Sequence, residues 1–270
     1  MIKATLIASL CIIFSSCSKN TFEKYNGVNL KTPITSKNIQ TLKTVISKPG
    51  RVHKTYHNYH RVIPVFKIDI DEKGNEEYAG SSYFHTSWHA DDSINAWHNH
   101  FMPGLSAISG YNMTNVADFN AATSRRTDFF KKNVLVNTLY FPAAIEDTLN
   151  RKVVKRDYYL VSVYDEDTNN DSLINYKDLR RFYHFDLNVR KKTSLIPKNY
   201  SVLSSQYDYL NDFMYVKAKK DTDGNGKRDV SEPIHIFWIN MKDPKQAKSC
   251  LLYTSPSPRD RTRSRMPSSA

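Results

Sequence analysis

Glycine and cysteine are both scarce in this chain of 270 residues, and their scarcity excludes several kinds of site. The 8 glycines argue against glycine-rich phosphate-binding loops and against collagen-like repeats. No cysteine lies between residues 18 and 249, which excludes disulfides, thiolate catalysis and cysteine-bound zinc from that part of the chain. The sequence also contains no GxSxG, Walker or HExxH pattern. It therefore lacks the signatures of several common hydrolase and nucleotide-binding sites.

The N-terminus has the pattern of an export signal. Lys3 supplies a positive charge, and Ala4–Phe14 is an apolar run too short to span a bilayer as a stable anchor. Two serines then precede Cys17, which resembles the lipobox of bacterial lipoproteins, although Phe14 stands where leucine is usual. The resemblance implies that residues 1–16 are a signal peptide and that Cys17 becomes acylated. An ordinary signal peptide cut nearby is the alternative.

The C-terminal residues 250–270 differ from the rest of the chain in composition. They are rich in arginine, proline and serine and show no hydrophobic periodicity. As protein, such a segment would be a disordered basic tail. After back-translation, however, Cys250–Asp260 and Ser264–Ala270 fit, in order, a transposase-based sequencing-library adapter and its flow-cell end. We therefore expect residues 250–270 to be a non-native tail and the natural chain to be cut off near Ser249.

The charge of the chain is basic but diffuse. The sequence has 39 Lys and Arg against 27 Asp and Glu, a formal charge of +12. Without the signal peptide and the tail this charge becomes +8, and it is spread over many separate turns. Solvated strand ends explain such a spread better than a nucleic-acid site does, so we expect no nucleic-acid partner.

The hydrophobic pattern predicts strands. Hydrophobic residues make up 40% of the sequence, with 17 Tyr and 13 Phe, which is enough for a packed core. Runs rich in aromatic and β-branched residues predict strands at Val62–Ile70, Val134–Phe141, Tyr158–Tyr164, Phe182–Leu187, Phe213–Lys217 and Ile234–Met241. A short helix is predicted around Val116–Arg126. The predicted organisation is a signal peptide (1–16), a polar tether (17–55), an N-terminal β-rich region with a histidine-rich stretch (56–157), a region of β-repeats (158–249) and the tail (250–270).

The region 158–249 contains an internal repeat. A strand, an acidic loop and a second strand recur after 54 residues without a gap, which aligns Asp167 with Asp221 and Asp178 with Glu232. This repeat predicts a mainly-β fold of antiparallel β-repeats, propeller-like and incomplete. A β-sandwich or an open meander is the alternative.

Both acidic loops offer oxygen atoms at positions 1, 3, 5, 7, 9 and 12, the spacing of an EF-hand calcium loop. In the second loop the predicted ligands are Asp221, Asp223, Asn225, the carbonyl of Lys227, Asp229 and Glu232. In the first loop they are Asp167, Asn169, Asp171, the carbonyl of Leu173, Asn175 and Asp178. Because calcium prefers six to eight oxygen ligands, we predict that both loops bind calcium in a structural role.

The two loops differ in how well they fit the pattern. In the first loop Ser172 replaces the glycine of the bend, where a positive φ costs about 1 kcal/mol, and Asp178 is shorter than glutamate. We therefore expect the first site to be the weaker; its loop resembles the dockerin-type calcium loop, which ends in aspartate. Pro233 argues against a helix after the second loop, so we predict loops set in β-hairpins. Asx-rich turns without an ion are the alternative.

The loops and the repeat together, over roughly residues 158–241, resemble envelope lipoproteins of the Bacteroidetes type with propeller-like repeats that carry EF-hand-type loops. The resemblance implies an outer-membrane lipoprotein of the bacterial cell envelope, facing the periplasm or the surface and held to the membrane through Cys17. We predict a non-enzymatic binding or scaffolding module for a protein or glycan ligand.

A histidine-rich stretch supports a different function. His98 and His100 would point the same way on a strand, as in some zinc and copper sites. Further candidate ligands nearby are His89, Asp91 and Asp92. The alternative prediction is therefore a metal-dependent hydrolase that uses His85–His100, while partly buried histidines in an aromatic-rich surface are the simpler interpretation.

Overall fold

The computed structural model describes residues 30–31, 46–70, 74, 76–78, 82–85 and 102–252. Within these ranges the regular structure consists of strands alone, and no helix there is long and apolar enough to cross a membrane. The strands are β1 (Leu30–Lys31), β2 (Ser47–Pro49), β3 (His53–Lys54), β4 (His60–Ile70), β5 (Glu76–Tyr78), β6 (Ser82–His85), β7 (Leu105–Asn120), β8 (Arg125–Asp128), β9 (Leu135–Pro142), β10 (Asp147–Leu149), β11 (Lys152–Val154), β12 (Tyr158–Tyr164), β13 (Leu173–Ile174), β14 (Arg181–Asp186), β15 (Lys192–Ser194), β16 (Tyr200–Asp208), β17 (Phe213–Lys220), β18 (Ile234–Asn240) and β19 (Ala247–Leu252).

Two antiparallel sheets form the body of the protein. The larger sheet has 11 strands, and its main path runs β15-β14-β12-β9-β7-β4-β2. The smaller sheet has four strands in the order β16-β17-β18-β19. Short pairs, β10 with β11 and β1 with β13, lie outside these sheets. The prediction of a mainly-β, antiparallel fold is confirmed.

The smaller sheet packs face to face on one side of the larger sheet. This interface is apolar; its members include Tyr158, Leu160 and Phe182 from the larger sheet and Val216 and Ile239 from the smaller one. The opposite face of the larger sheet is also buried, around Tyr159, Val161 and Phe185. Burial on both faces explains why all seven residues of β12 are buried and all but Ser162 are hydrophobic.

The smaller sheet shows the other kind of strand pattern. Burial in β18 alternates residue by residue, because this strand presents one side to the interface and the other to solvent. The two patterns follow from the position of each strand in the stack. They also account for the agreement between the predicted and observed bounds of β12 and β18.

The internal repeat appears as two sets of four strands with the same order. The set β9-β12-β14-β15 in the larger sheet matches β16-β17-β18-β19 in the smaller one, and each acidic loop joins the second strand of a set to the third. The first set continues directly into β7 and β4, so it is part of a longer meander. The structure does not confirm the propeller arrangement; two packed meandering sheets are closer to the alternative.

The predicted helix around Val116–Arg126 is wrong. Residues up to Asn120 belong to β7, and a tight turn leads into β8. The Asn120 side chain accepts hydrogen bonds from the N–H groups of Ala122 and Thr123 and so begins the turn. Pairing with β4 on one side and β8 on the other satisfies the β7 backbone, which outweighs the local preference of its alanines for helix.

Ordered strands also cross the predicted region boundaries. Strands β1, β2 and β3 lie within the predicted tether of residues 17–55. The larger sheet joins β9 to β12 across the boundary at residue 158, and β19 extends to Leu252, inside the predicted tail. The two regions on either side of residue 158 therefore share one sheet.

Candidate metal-binding loops

The two acidic loops occupy equivalent places in the two packed sheets. Loop 1 (residues 167–178) joins the antiparallel strands β12 and β14, and loop 2 (residues 221–232) joins β17 and β18. The prediction that these loops lie within β-hairpins is confirmed. Because no helix flanks either loop, they cannot form the helix pair that opens in an EF-hand sensor.

Loop 2 is wound by hydrogen bonds from its own backbone to the side chains at positions 1, 3 and 5. Asp221 accepts from the N–H groups of Gly224 (2.8 Å) and Gly226 (3.1 Å). Asp223 accepts from the N–H of Asn225 at 3.1 Å. Both glycines have positive φ, 73° and 70°, a conformation that glycine adopts without steric cost. The glycines thus let the chain curl around the carboxylates.

The last residue of each loop closes it in the same way. Glu232 accepts hydrogen bonds from the N–H groups of Thr222 and Asp229, each at 3.0 Å. Asp178 accepts from the corresponding N–H groups of Thr168 and Asn175, each at 2.8 Å. The position 12 carboxylate therefore ties the start of the loop to position 9 in both copies, and the shorter aspartate still makes both contacts.

Loop 2 gathers carboxylates closely enough to hold a metal ion. One oxygen atom each from Asp221, Asp223 and Glu232 lie within 4.8 Å of one another, and in the part of the chain that the structure describes this is the one such group of three. Asn225 donates from its amide nitrogen to Asp223 (2.9 Å) and to Asp229 (2.6 Å). These hydrogen bonds place Asp229, the fourth predicted carboxylate ligand, beside Asp223. Like charges held this close favour a bound cation.

Loop 1 follows the same path with fewer gathered carboxylates. Asp167 accepts from the N–H groups of Asp171 (3.1 Å) and Ser172 (2.8 Å), loop positions 5 and 6, where Asp221 in loop 2 accepts from positions 4 and 6. Asn170 and Ser172 have φ of 59° and 66° where loop 2 has its two glycines, so the expected strain at Ser172 is present. Burial raises the pKa of Asp178 above its usual value, and hydrogen bonds from backbone N–H groups offset only part of this rise. A bound cation would favour the ionised form of this carboxyl.

The remaining predicted ligands occupy the same relative places. Asn169 and Asn175 accept hydrogen bonds from the N–H groups of Asp171 and Lys177 at 2.9 and 2.8 Å. The carbonyls of Leu173 and Lys227 belong to position 7, and Leu173 lies in β13. The structure thus brings the predicted residues of each loop into one turn, although only loop 2 gathers three carboxylates.

The two loops contact each other directly, which the sequence did not predict. The hydroxyl of Thr168 donates to the carbonyl oxygen of Gly226 at 2.7 Å, and the Arg228 guanidinium donates to the carbonyl of Tyr176. The contact is so close that a Cβ atom on Gly226 would lie 1.8 Å from the carbonyl oxygen of Thr168. Each loop belongs to a different sheet, so this contact joins the two sheets at their loop end.

A buried ion pair joins the sheets at the opposite end of the same strands. Arg156, just before β12, donates to both carboxylate oxygens of Asp212, just before β17, at 2.6 and 3.1 Å. The two side chains are 3% and 5% exposed. Arg156 also donates to the carbonyl of Met241, and Tyr207 donates to Asp212. The loops and this ion pair therefore hold the sheet interface at both ends.

The histidine-rich stretch is described only in part. His89, Asp91, Asp92, His98 and His100 lie outside the described residues, and of His85 the backbone alone is described. His60 places Nδ1 at 2.9 and 3.1 Å from the carboxylate oxygens of Asp118, and Tyr159 donates to the same carboxylate at 3.1 Å. Burial raises the pKa of Asp118, an effect that the hydrogen bond from His60 opposes. We interpret this buried group as structural.

The fold and the loops thus define a mainly-β protein with a cluster of carboxylates that could hold a metal ion. A scan against protein-family models gave no match. A search of curated proteins gave no match either.

Proposed function

We propose that both loops bind calcium in a structural role, and that the protein is a cell-envelope lipoprotein whose body is a non-enzymatic binding or scaffolding module for a protein or glycan. The observation that supports the calcium assignment is the convergence of Asp221, Asp223 and Glu232 within 4.8 Å, in a loop whose backbone N–H groups donate to Asp221 and Glu232. Hard oxygen donors at this density suit calcium better than zinc or copper.

The place of the loops supports a structural role for the ions. An ion in loop 2 would neutralise the gathered carboxylates and fix the turn between β17 and β18. Since Thr168 of loop 1 bonds to Gly226 of loop 2, order in one loop also favours order in the other. Calcium would therefore stabilise the contact between the two sheets, together with the ion pair at their other end.

An extracytoplasmic location supports the same proposal. The N-terminal pattern that ends at Cys17 predicts export and acylation. Outside the cytoplasm a loop of millimolar affinity would still be filled with calcium, so even the weaker loop 1 could work there. Membrane attachment is tested by Cys17→Ser: the proposal expects the protein to appear in the soluble fraction, and unchanged retention in the membrane fraction would refute the anchor.

The calcium assignment is tested by thermal unfolding with calcium and with a chelator. A ligand at 100 times its dissociation constant adds about 2.7 kcal/mol of stability, which for this size of chain corresponds to a rise in Tm of about 5–10 °C. The matched control is Asp221→Asn combined with Asp223→Asn, which removes two charges from loop 2 and should abolish most of the rise. An equal Tm in calcium and in chelator would refute the assignment.

A further inference from the structure

The smaller sheet presents aromatic side chains on the face that points away from the larger sheet. In β17 and β18 buried residues alternate with more exposed ones, and the partly exposed set includes Phe213, Tyr215 and Trp238. The residues between them, such as Val216 and Phe237, belong to the buried interface of the two sheets. Phe213, Tyr215 and Trp238 belong to no hydrophobic cluster of the described residues, so their rings line a surface and not a core.

The three rings lie beside one another on two paired strands. Tyr215 pairs with Trp238 across the strands, and the ring centroids of Phe213 and Trp238 are 4.7 Å apart at an interplanar angle of 37°. Ile236 and Ile234 continue the same side of β18, and Ile234 is 38% exposed. These five residues form one apolar surface, which we call the aromatic face.

The charge around the aromatic face is positive. Lys217 is exposed on β17, and the exposed Lys248 of β19 places Nζ at 5.2 Å from the centre of the Trp238 ring. In strands β16 to β18, all of which the structure describes, the one acidic residue on this side is Asp208. Its carboxylate already accepts hydrogen bonds from the N–H and the side-chain amide of Asn211. The aromatic face therefore favours an anionic ligand.

Neutral polar side chains flank the aromatic face along β16. Gln206 pairs with Tyr215, Ser204 pairs with Lys217, and both polar residues are exposed. Amides and hydroxyls exchange hydrogen bonds with sugar hydroxyls, and aromatic rings pack against the apolar C–H side of a sugar ring. In a bilayer the same amides and hydroxyls would be desolvated without partners, which disfavours a membrane as the occupant.

We propose that the aromatic face binds an acidic polysaccharide. Sugar rings pack against Tyr215 and Trp238, and the carboxylate or sulfate groups of the polymer pair with Lys217 and Lys248. An open face suits a long polymer, because weak contacts repeated along one chain add up. This inference rests on the proposed function, a binding module in the cell envelope. That location favours a polysaccharide over single-stranded nucleic acid, which uses the same kinds of group.

Isothermal titration calorimetry of the full chain at one fixed calcium concentration tests the proposal. Hyaluronan is the acidic probe and dextran is the neutral one. We expect hyaluronan to bind, dextran to bind about tenfold more weakly, and hyaluronan binding to weaken as salt is raised, because salt screens exposed lysines. Folded protein that does not bind hyaluronan would overturn this inference. The calcium-dependent rise in Tm, measured on the same samples, tests the proposed calcium role separately.

An aromatic variant locates the site. Tyr215→Ala should weaken hyaluronan binding about tenfold, as expected for an aromatic side chain at the centre of an interface, while Tyr215→Phe keeps the ring and should stay within about twofold of wild type. Tyr59→Ala is the matched control, since Tyr59 is 57% exposed and lies outside the smaller sheet. Equal affinities of Tyr215→Ala and Tyr59→Ala would contradict the proposal.

A lysine pair tests the charge of the ligand. Lys217→Gln with Lys248→Gln should weaken hyaluronan binding and remove most of its salt dependence. Lys131→Gln with Lys132→Gln removes the same charge from an exposed turn of the larger sheet and should leave both unchanged. The midpoint of urea unfolding shows whether each variant is folded.

Two further outcomes would overturn the proposal. Hyaluronan binding that survives both Tyr215→Ala and the Lys217 and Lys248 changes would place the glycan site elsewhere, and it would leave the proposed binding function standing. Tighter binding of an oligothymidine strand or of phosphatidylglycerol vesicles than of hyaluronan, lost in the same variants, would assign the aromatic face to nucleic acid or to a membrane.

Discussion

The contact between the two loops makes Gly226 the glycine at which an added Cβ would lie closest to backbone, among the glycines of the described residues. Its φ is 70°, and an added Cβ would lie 1.8 Å from the carbonyl oxygen and 2.4 Å from the carbonyl carbon of Thr168. Both atoms belong to the backbone, so the clash cannot be relieved by a side-chain rotation. In Gly226→Ala the two loops must move apart by about 1 Å to relieve this overlap. The variant therefore breaks the link between the sheets at their loop end.

Gly224 provides a matched control in the same loop. Its φ is 73°, but nothing lies within 4 Å of an added Cβ. Gly224→Ala should therefore cost only the strain of positive φ, about 1 kcal/mol. Gly226→Ala should cost the same strain, about 1 kcal/mol for the lost hydrogen bond from Thr168, and a further amount for lost packing, in total about 3 kcal/mol.

Urea unfolding of both variants in calcium, followed by tryptophan fluorescence, measures the difference. We expect Gly226→Ala to be less stable than Gly224→Ala by about 2 kcal/mol. Thr168→Ala should cost about 1 kcal/mol more in wild type than in the Gly226→Ala background, because the hydrogen bond to Gly226 is already lost there, whereas the one from the Leu179 N–H to Thr168 is present in both. Equal destabilisation by the two glycine variants would refute the loop contact.

Three further predictions concern the buried ion pair, a buried histidine and the relative strength of the two loops. Arg156→Met should cost about 3–5 kcal/mol in urea unfolding, since it leaves the Asp212 carboxylate buried without its partner, and a loss below 1 kcal/mol would contradict a tight pair. Burial, and secondarily a nearby lysine, lower the pKa of His184 below 6.5 in the folded protein. As the pH falls, the unfolded chain is therefore protonated at this histidine before the folded chain is, and the free energy of unfolding should decrease below about pH 6.5. His184→Phe should make that fall shallower, and an unchanged slope would argue against the buried neutral imidazole. Asp223→Asn should reduce the calcium-induced rise in Tm more than Asp171→Asn does, because loop 2 is predicted to be the tighter site; the reverse order would refute that ranking.

Local patterns in the sequence were sufficient to predict six of the strands, β4, β9, β12, β14, β17 and β18, and the place of each acidic loop within a β-hairpin. The run at Tyr158–Tyr164 is hydrophobic except for Ser162 because both faces of β12 are covered, and its predicted bounds match the structure. The loops could be predicted because their winding depends on residues within 12 positions of one another, such as Thr222 and Glu232. These interactions are encoded over short distances along the chain.

The interactions that the sequence could not predict join residues far apart in the chain. Thr168 meets Gly226 across 58 residues, and Arg156 meets Asp212 across 56. The docking of Leu30 on Ile174 is more distant still. Such contacts depend on how the two sheets stack, which the hydrophobic pattern of a single strand does not specify.

The predicted helix failed for a related reason. Alanines such as Ala117 and Ala121 favour helix locally, but β4 and β8 both pair with residues 117–120 of β7. Asp118 is buried there because His60 and Tyr159 provide hydrogen bonds from other strands. Tertiary partners therefore decided the outcome over local propensity.

The calcium content of the folded protein tests the central claim most directly. The chain is dialysed to equilibrium against millimolar calcium, and bound calcium per chain is measured by elemental analysis, alongside Asp221→Asn combined with Asp223→Asn. We predict two calcium ions per wild-type chain and the loss of one in the loop 2 variant. A folded wild-type protein that binds no calcium at this concentration would contradict the account.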